Sequence, residues 1–275
     1  MTLDDLAQAA PPPSDLLGPD DPPPFTVHNP RGRAAVVLVA DHAGRAIPAA
    51  FGRLGLDQGA LDRHFAYDIG IAPLTRDLAD RLDAPAILHN YSRLLIDPNR
   101  PLYDPTSICE IGEGVVIAGN RGLTVRDRAA RAAAFFHPYH DAVDAAVRRY
   151  LDRGTAPALL SLHSFTPQYR GHVRPWHAGV LWAEDGRIPE PLIAALRRDP
   201  ALCVGDNQPY SGRLRYGYTV ETHAMSRGLA NALIEVRQDL IGHPGGAQAW
   251  AARLADALAP ILADEAVYRR RAGPC

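Results

Sequence analysis

The sequence predicts an α/β protein with a mostly parallel or mixed central sheet that helices cover on both faces. Short apolar runs rich in β-branched residues, which are typical of buried strands, alternate with longer segments whose apolar residues recur at helical spacing. The chain has 275 residues, 47% of them hydrophobic, and is long enough to bury a sizeable core. In such sheets, ligands bind outside the carboxyl ends of the strands, so we expect the functional groups there.

The order of these elements divides the chain into an arm and one domain. The first 30 residues contain the proline-rich stretches PPPSD and DDPPPF, and we expect an extended arm before a single domain over 31–275. AAVVLVA is the first predicted strand, and the later predicted strands are APAILHNY, APALLSLH, HAGVLWA and NALIEVR. The predicted helices are PLTRDLADRL, the Ala- and Arg-rich stretch 125–153, and the segment 247–271.

Composition argues against several classes of partner. The chain has 29 Lys and Arg against 31 Asp and Glu, so no excess of positive charge attracts nucleic acid or anionic lipid. Cys109, Cys203 and Cys275 lie too far apart for a zinc ribbon or a redox dithiol. The acidic start MTLDDLAQAA does not resemble a secretory signal, and no stretch reaches the ~20 apolar residues of a membrane helix. We expect a cytoplasmic protein that binds a small molecule.

Three predicted strands have a polar residue at or near their carboxyl ends. His42 follows the first strand, His163 ends APALLSLH, and Glu235 lies inside the apolar run NALIEV. A buried glutamate is destabilising by several kcal/mol unless it is paired or bound to a cation. Each residue also has a structural interpretation: Glu235 can pair with Arg237, two residues on, and a histidine after a strand is often a packing residue.

Together these groups are typical of a zinc hydrolase. Such enzymes hold the metal with imidazoles and a carboxylate, and an unliganded glutamate takes a proton from water. His42 and His163 are then the predicted imidazole ligands and Glu235 the predicted base. The best candidate for the third ligand is Asp68, in HFAYDIG, and His64 is the weaker one, although the sequence pattern alone favours Asp68 as the N-cap of the helix that follows.

Seven blocks carry a resemblance to a known family. They are VADHAGRAIP, HFAYDIG, YSRLLIDPNR, SLHSFTP, GVLW, GDNQPYSG and ALIEVRQDLI, in that order from about Val36 to Ile241. Together they resemble the N-formylglutamate amidohydrolase family of metal-dependent deformylases. That family is similar in fold to zinc-dependent exopeptidases and to zinc amidases that cut cell-wall peptides, which implies an α/β sheet sandwiched by helices.

The resemblance also implies a site. Its metal positions fall on His42, Asp68 and His163, its general base on Glu235, and its cofactor is one divalent cation, with zinc expected first. One departure concerns the carboxylate ligand. Zinc carboxypeptidases commonly take two ligands from a His-x-x-Glu stretch, whereas the residue three after His42 is Arg45, so the carboxylate must come from elsewhere.

The implied reaction is hydrolysis of N-formyl-L-glutamate to L-glutamate and formate, a step of histidine degradation. The two carboxylates of that substrate suit the planar fork of arginine. Arg93 is the first candidate, with a salt bridge to Asp97 as its structural alternative. The full set of predicted substrate-binding residues is Arg93, Asn99, Arg237 and Tyr210.

Other functions stay open at this stage. The alternatives are a zinc carboxypeptidase, a muropeptide amidase-like hydrolase, and a non-catalytic relative that holds a metal or an acidic ligand. His137 and His140 have helical ligand spacing, but a surface or packing role is favoured. His223 is a candidate oxyanion donor, and Cys109 lacks the basic cluster that a nucleophilic cysteine needs.

Overall fold

A seven-stranded mixed sheet forms the centre of the computed structural model, which describes residues 3–8, 16–214 and 216–271. Five strands coincide with the predicted apolar runs, and a short strand that the sequence did not reveal lies at each edge. In chain order the strands are β1 (Phe25–His28), β2 (Val36–Ala40), β3 (Ala86–His89), β4 (Ala158–Phe165), β5 (Ala178–Leu181), β6 (Val204–Asp206) and β7 (Asn231–Arg237).

The strand order is β1-β3-β2-β4-β7-β5-β6. The four central strands run parallel, because β3 pairs with β2, β2 with β4, and β4 with β7 in parallel registers. The pairs β1–β3 and β7–β5 are antiparallel. The predicted fold class is therefore confirmed, and the carboxyl ends of β2, β4 and β7 lie at the same edge of the sheet.

Helices cover both faces of this sheet. One face packs against α3 (Ile71–Leu82), α6 (Pro189–Leu196) and α9 (Pro244–Leu262). The other face packs against α1 (Leu3–Gln8), α5 (His137–Leu151) and α7 (Thr219–His223), so that the sheet separates two apolar layers. None of these helices, within the part of the chain that is described, is long and apolar enough to cross a membrane. The other α-helices of the described residues are α2 (Gln58–Leu61), α4 (Val125–Arg131) and α8 (Gln238–Ile241).

Two of the long helical predictions have different outcomes. The stretch predicted over 125–153 is helical from α4 through a π-helical segment, Ala132–Phe136, to the end of α5. The last predicted helix is wrong beyond Leu262, where α9 ends. Asp264 begins a separate 3₁₀ turn there, and its side chain accepts a hydrogen bond from the amide of Ala266 at 2.9 Å.

The N-terminal segment contains more regular structure than its prolines predict. Residues 25–28 form β1, an edge strand paired with β3, and α1 packs with Leu3 and Leu6 in the apolar layer that includes α5. Residues 3–8 and 25–28 of the predicted arm therefore pack on the domain, and proline is compatible with the approach to an edge strand. The stretch PPPSD lies outside the described residues. The single domain that we propose includes β1.

A third apolar cluster lies under the long connection between β3 and α5. Tyr91, Leu94 and Leu95 are buried in it and flank Arg93 in sequence. Ala66, two residues before Asp68, belongs to the same cluster. This packing fixes the backbone of two predicted site residues that no regular strand or helix carries.

Leu160 tests the sheet as the stabilising core. It is fully buried in β4, the middle strand, and we expect Leu160→Ala to lower the free energy of unfolding by about 2–5 kcal/mol through lost apolar burial and a residual cavity. Urea denaturation followed by circular dichroism measures this. Leu102→Ala, at a residue that is 43% exposed, is the matched control and should change stability by less than about 1 kcal/mol. Equal effects of the two substitutions would contradict this assignment of the core.

Candidate metal centre and surrounding cavity

His42, His163 and Glu235 meet at the carboxyl edge of the sheet. His42 follows β2, while His163 and Glu235 lie side by side in register on the parallel strands β4 and β7. Side chains alternate between the faces of a strand, and the neighbours of His163, Leu162 above all, point into the opposite apolar layer. On the face that carries His163, the sheet is therefore polar only at the carboxyl ends of the strands, whereas Leu159 of the same strand belongs to the apolar layer.

His42, Asp68 and His163 present one ligand atom each to a common point, all within 4.8 Å of one another. Oδ2 of Asp68 lies 3.5 Å from Nδ1 of His42 and 3.0 Å from Nδ1 of His163. All three residues are buried, and Nδ1 of His42 has no hydrogen-bond partner. Two imidazole nitrogens and a carboxylate oxygen are a donor set typical of zinc, so these residues fit a divalent cation.

The Nε2 atom of each imidazole is hydrogen-bonded to a further carboxylate, a different one for each histidine. Nε2 of His42 lies 2.8 Å from Oδ1 of Asp97, and Nε2 of His163 lies 3.1 Å from Oδ2 of Asp41. Such carboxylate–histidine pairs fix the ring orientation, so that Nδ1 of each imidazole faces Asp68. Neither aspartate was predicted for this role from the sequence. The signal for Asp41 was its position beside His42, whereas Asp97 entered only as a partner of Arg93.

Asp41 is itself anchored by the helical layer. Its Oδ1 accepts hydrogen bonds of 2.8 Å from the hydroxyls of Tyr139, on α5, and Thr219, the first residue of α7. Asp41 is fully buried, and a buried carboxylate without such donors would be strongly destabilising. The position of His163 therefore depends on two helices that lie outside the sheet.

The local structure decides between the two interpretations of Asp68. The N-cap of α3 is Gly70, which makes no side-chain cap, and the carboxylate of Asp68 instead accepts a hydrogen bond of 3.1 Å from the amide of Ser164. The cap interpretation is therefore wrong. His64 lies near, with Nε2 3.8 Å from Oδ1 of Asp68, and burial lowers its pKa to about 4.

Glu235 is buried and its Oε2 has no hydrogen-bond partner. Burial raises the pKa of its carboxyl above the usual value, while the charge of His163 opposes that rise. Glu235 does not pair with Arg237, whose guanidinium Nε lies 2.8 Å from Oδ1 of Asp239. A carboxyl in this state suits the exchange of a proton with a bound molecule.

A cavity of about 590 Å³ surrounds these groups, within the range of small-molecule sites. Of the predicted site residues, the structure brings all except Arg237 to this cavity. Aromatic and apolar residues that were not predicted from the sequence also line this cavity. The lining residues include His42, His64, Asp68, Arg93, Asn99, Arg100, His163, Leu181, Trp182, Tyr210, Tyr216, Glu221, Leu233 and Glu235.

Arg93 contacts both carboxylates of the site. Its Nη2 lies 2.6 Å from Oδ2 of Asp97, as the salt-bridge alternative predicted, and its Nη1 lies 3.7 Å from Oδ1 of Asp68. Burial lowers the pKa of the guanidinium, but the charges of the two aspartates outweigh this, and Arg93 stays cationic. Asn99 uses its Oδ1 to accept a hydrogen bond of 2.8 Å from the amide of Tyr218.

The remaining candidates have packing roles or do not line the cavity. His140 is buried, with Nδ1 3.0 Å from Nε2 of His223, and His137 is exposed. Over residues 3–8, 16–214 and 216–271, only the cluster of His42, Asp68 and His163 meets the geometry of a metal site. His223, the candidate oxyanion donor, does not line the cavity. Burial raises the pKa of the Cys109 thiol, which reduces its reactivity.

Comparison with known proteins identifies the family. A sequence model described as N-formylglutamate amidohydrolase matches residues 34–242. The crystal structure of a gene product from Agrobacterium tumefaciens is 32% identical, with a TM-score of 0.86 over 90% of this chain and 98% of that one. The crystal structure of N-formylglutamate amidohydrolase from Ralstonia eutropha is 22% identical, with a TM-score of 0.63 over 87% of this chain and 97% of that one, and it supports the fold. The comparison with curated proteins returned no significant match. Because the family match spans most of the chain and includes the candidate metal centre, the chain belongs to the N-formylglutamate amidohydrolase family.

Proposed function

We propose that this amidohydrolase is metal-dependent and releases formate from a small acidic N-formyl amino acid, N-formyl-L-glutamate first. The observation that carries the proposal is the convergence of His42, Asp68 and His163 beside Glu235 in a single cavity. The family match and the name of the Ralstonia eutropha neighbour support the choice of substrate.

The proposed metal ligands are Nδ1 of His42, Nδ1 of His163 and the carboxylate of Asp68. Zinc is the first choice, although nitrogen and oxygen ligands also accept cobalt, manganese or iron. When bound, a zinc ion supplies Lewis-acid chemistry that makes water a nucleophile near neutral pH. Asp97 and Asp41 hold the two imidazoles in the orientation that binding requires.

Glu235 is the proposed general base. It accepts the proton that the attacking water loses as the water oxygen bonds to the formyl carbon. It then delivers that proton to the departing nitrogen, so that the amide and one water yield formate and a free amine. The unpartnered Oε2 of Glu235 and its raised pKa support this exchange, because neither protonation state is fixed by a neighbouring group.

Arg93 is the proposed partner of a substrate carboxylate. Among the described residues, it is the arginine that forms an ion pair with a proposed metal ligand, since its Nη1 lies 3.7 Å from Asp68, and its side chain, which lines the cavity, is 22% exposed. Arg100 lines the same cavity and donates to the carbonyl of Tyr216 at 3.2 Å. Two guanidinium groups support binding of an acidic substrate.

Metal content is the first test of the proposal. We expect about one divalent metal ion per chain and formate release that stops on chelation, since three protein ligands suit a catalytic site. His163→Ala should lose most of this metal by elemental analysis, whereas His172→Ala, at an exposed histidine outside the cavity, should retain it. Metal without release from any N-formyl amino acid would support the non-catalytic alternative, and equal metal in both variants would contradict the proposed ligands.

Glu235→Gln separates the base from the ligands. The amide cannot take a proton from water, so we expect kcat to fall by about 10²–10⁴-fold while the metal content stays unchanged. Steady-state formate release and elemental analysis of the same preparation measure both quantities. A near-normal kcat would remove Glu235 from the mechanism, and loss of the metal would make it a ligand instead.

Arg93→Ala tests recognition of the substrate carboxylate. Loss of a charge-assisted pair should raise the KM for N-formyl-L-glutamate by roughly 10–100-fold. Because Arg93 also binds Asp97, the metal content is measured alongside, and KM is compared at full metal loading. Arg45→Ala is the matched control, since Arg45 pairs with Asp62 and does not line the cavity. An unchanged KM for Arg93→Ala would move carboxylate binding to another residue.

A further inference from the structure

Arg174 is a buried arginine that forms no ion pair within the described residues. It is 8% exposed, and its guanidinium donates to Oγ1 of Thr166 at 3.2 Å and to the hydroxyl of Tyr210 at 3.1 Å. The rings of Tyr169 and Tyr210 lie 4.8 and 4.9 Å from its central carbon. Cation–π contacts offset part of the penalty for burying a charge, but no carboxylate does. A buried guanidinium that has no ion-pair partner among the described residues is a candidate for a functional role.

The Tyr210 hydroxyl has an unused hydrogen. A guanidinium can only donate, so the phenol oxygen accepts from Arg174 and its own O–H remains available. Over the described residues, no protein group accepts a hydrogen bond from this hydroxyl, and Tyr210 lines the same cavity as Asp68 and Glu235. Burial and then the charge of Glu235 raise the pKa of Tyr210, so the phenol keeps its proton at neutral pH.

The loop that carries Tyr210 is held firmly against the sheet. Oδ1 of Asn207 accepts hydrogen bonds from the amides of Trp182 at 3.1 Å and Gly212 at 2.9 Å. A Cβ at Gly212 would lie 2.7 Å from the amide nitrogen of Trp182, and one at Gly179 would collide with the carbonyl of Gln208. The loop therefore packs at backbone distance, which fixes the backbone on both sides of Tyr210, and the hydrogen bond from Arg174 orients the hydroxyl of this 44% exposed residue.

We propose that the Tyr210 hydroxyl donates a hydrogen bond to the oxyanion of the tetrahedral intermediate and that Arg174 positions and polarises this hydroxyl. The inference rests on the proposed function. As the water oxygen bonds to the formyl carbon, the carbonyl π pair moves onto the formyl oxygen, and Tyr210 stabilises the resulting charge without losing its proton. When the carbon–nitrogen bond breaks, the carbonyl re-forms and the nitrogen takes its proton from Glu235.

This role differs from the substrate binding that the sequence predicted for Tyr210. A residue that binds substrate and transition state equally changes KM, whereas an oxyanion donor acts on the transition state and changes kcat. Arg174 donates into the phenol oxygen, and a hydrogen bond from a cation makes that hydroxyl a stronger donor. Arg174 touches no reacting atom in this scheme and is a positioning residue.

The test uses the full chain loaded with metal and follows formate release. We expect Tyr210→Phe to lower kcat by about 10²-fold with KM changed less than about threefold, as for the loss of an oxyanion donor. Tyr103→Phe removes a phenol oxygen that is 90% exposed and outside the cavity, and should leave kcat unchanged. A normal kcat for Tyr210→Phe, or an effect on KM alone, would overturn the proposal.

Arg174 is tested through Tyr210. Arg174→Met should lower kcat, Arg174→Lys should restore part of it, and Arg174→Met combined with Tyr210→Phe should be no slower than Tyr210→Phe alone. Non-additivity of this kind shows that Arg174 acts through the hydroxyl. Fully additive losses, with thermal unfolding unchanged, would overturn the role of Arg174.

A binding measurement separates this inference from the proposed substrate. The probe is a phosphonamidate in which a tetrahedral anionic phosphorus group replaces the formyl group of N-formyl-L-glutamate. Calorimetry should show that Tyr210→Phe weakens binding of the probe by about 10²-fold and binding of L-glutamate by less than about threefold. Equal losses would overturn the inference. If the wild type releases no formate, the proposed substrate is refuted, but a selective loss of affinity for the probe in Tyr210→Phe still supports the inference about Tyr210. If the wild type does not bind the probe, the inference about Tyr210 is overturned.

Discussion

The burial of several carboxylates at one edge of the sheet is the constraint on which the site depends. Asp41, Asp68 and Asp97 are all at most 4% exposed, and each is tolerated only because donors surround it. Asp41 takes its donors from α5, α7 and β4, Asp68 from the backbone of β4, and Asp97 from Arg93. The same hydrogen bonds that satisfy these carboxylates position the two imidazoles, so stability and site geometry have a common origin.

The balance of charge in this cluster supports a bound cation. Three aspartates and Glu235 lie close to the two histidines, and among the described residues the arginines that line the adjoining cavity are Arg93 and Arg100. Hydrogen bonds to Asp41 and Asp68 outweigh burial and raise the pKa of His163 to about 10. Carboxylates that stabilise a protonated imidazole attract positive charge, and a divalent cation held by the same residues would supply that charge without the proton.

The sequence predicted the parts of this structure that local patterns specify. Five strands followed from β-branched apolar runs, and the position of His42, His163 and Glu235 at strand ends followed from the parallel topology. β1 and β6 were missed because FTVH and VGD form no continuous apolar run, in contrast to the equally short β3 and β5. The partners of Asp41 were also hidden, because Tyr139 and Thr219 lie 98 and 178 residues away in sequence. The sequence did not indicate a role for Arg174, because only the fold shows that it is buried without an ion pair to any described residue.

The unsatisfied groups of the cavity differ in character, and this difference is informative. Nδ1 of His42, Nδ1 of His64 and Oε2 of Glu235 are buried without a hydrogen-bond partner, whereas the hydroxyl of Tyr210, a residue that is 44% exposed, donates to no group of the described residues. A folded chain normally pairs such groups internally, because each unpaired group lowers stability. Amide hydrolysis presents the complementary set: a cation that activates water, a proton that leaves the water, and an oxyanion that appears on the carbonyl. In the proposed mechanism, His42, Glu235 and Tyr210 would therefore pair more completely with the tetrahedral transition state than with the planar substrate.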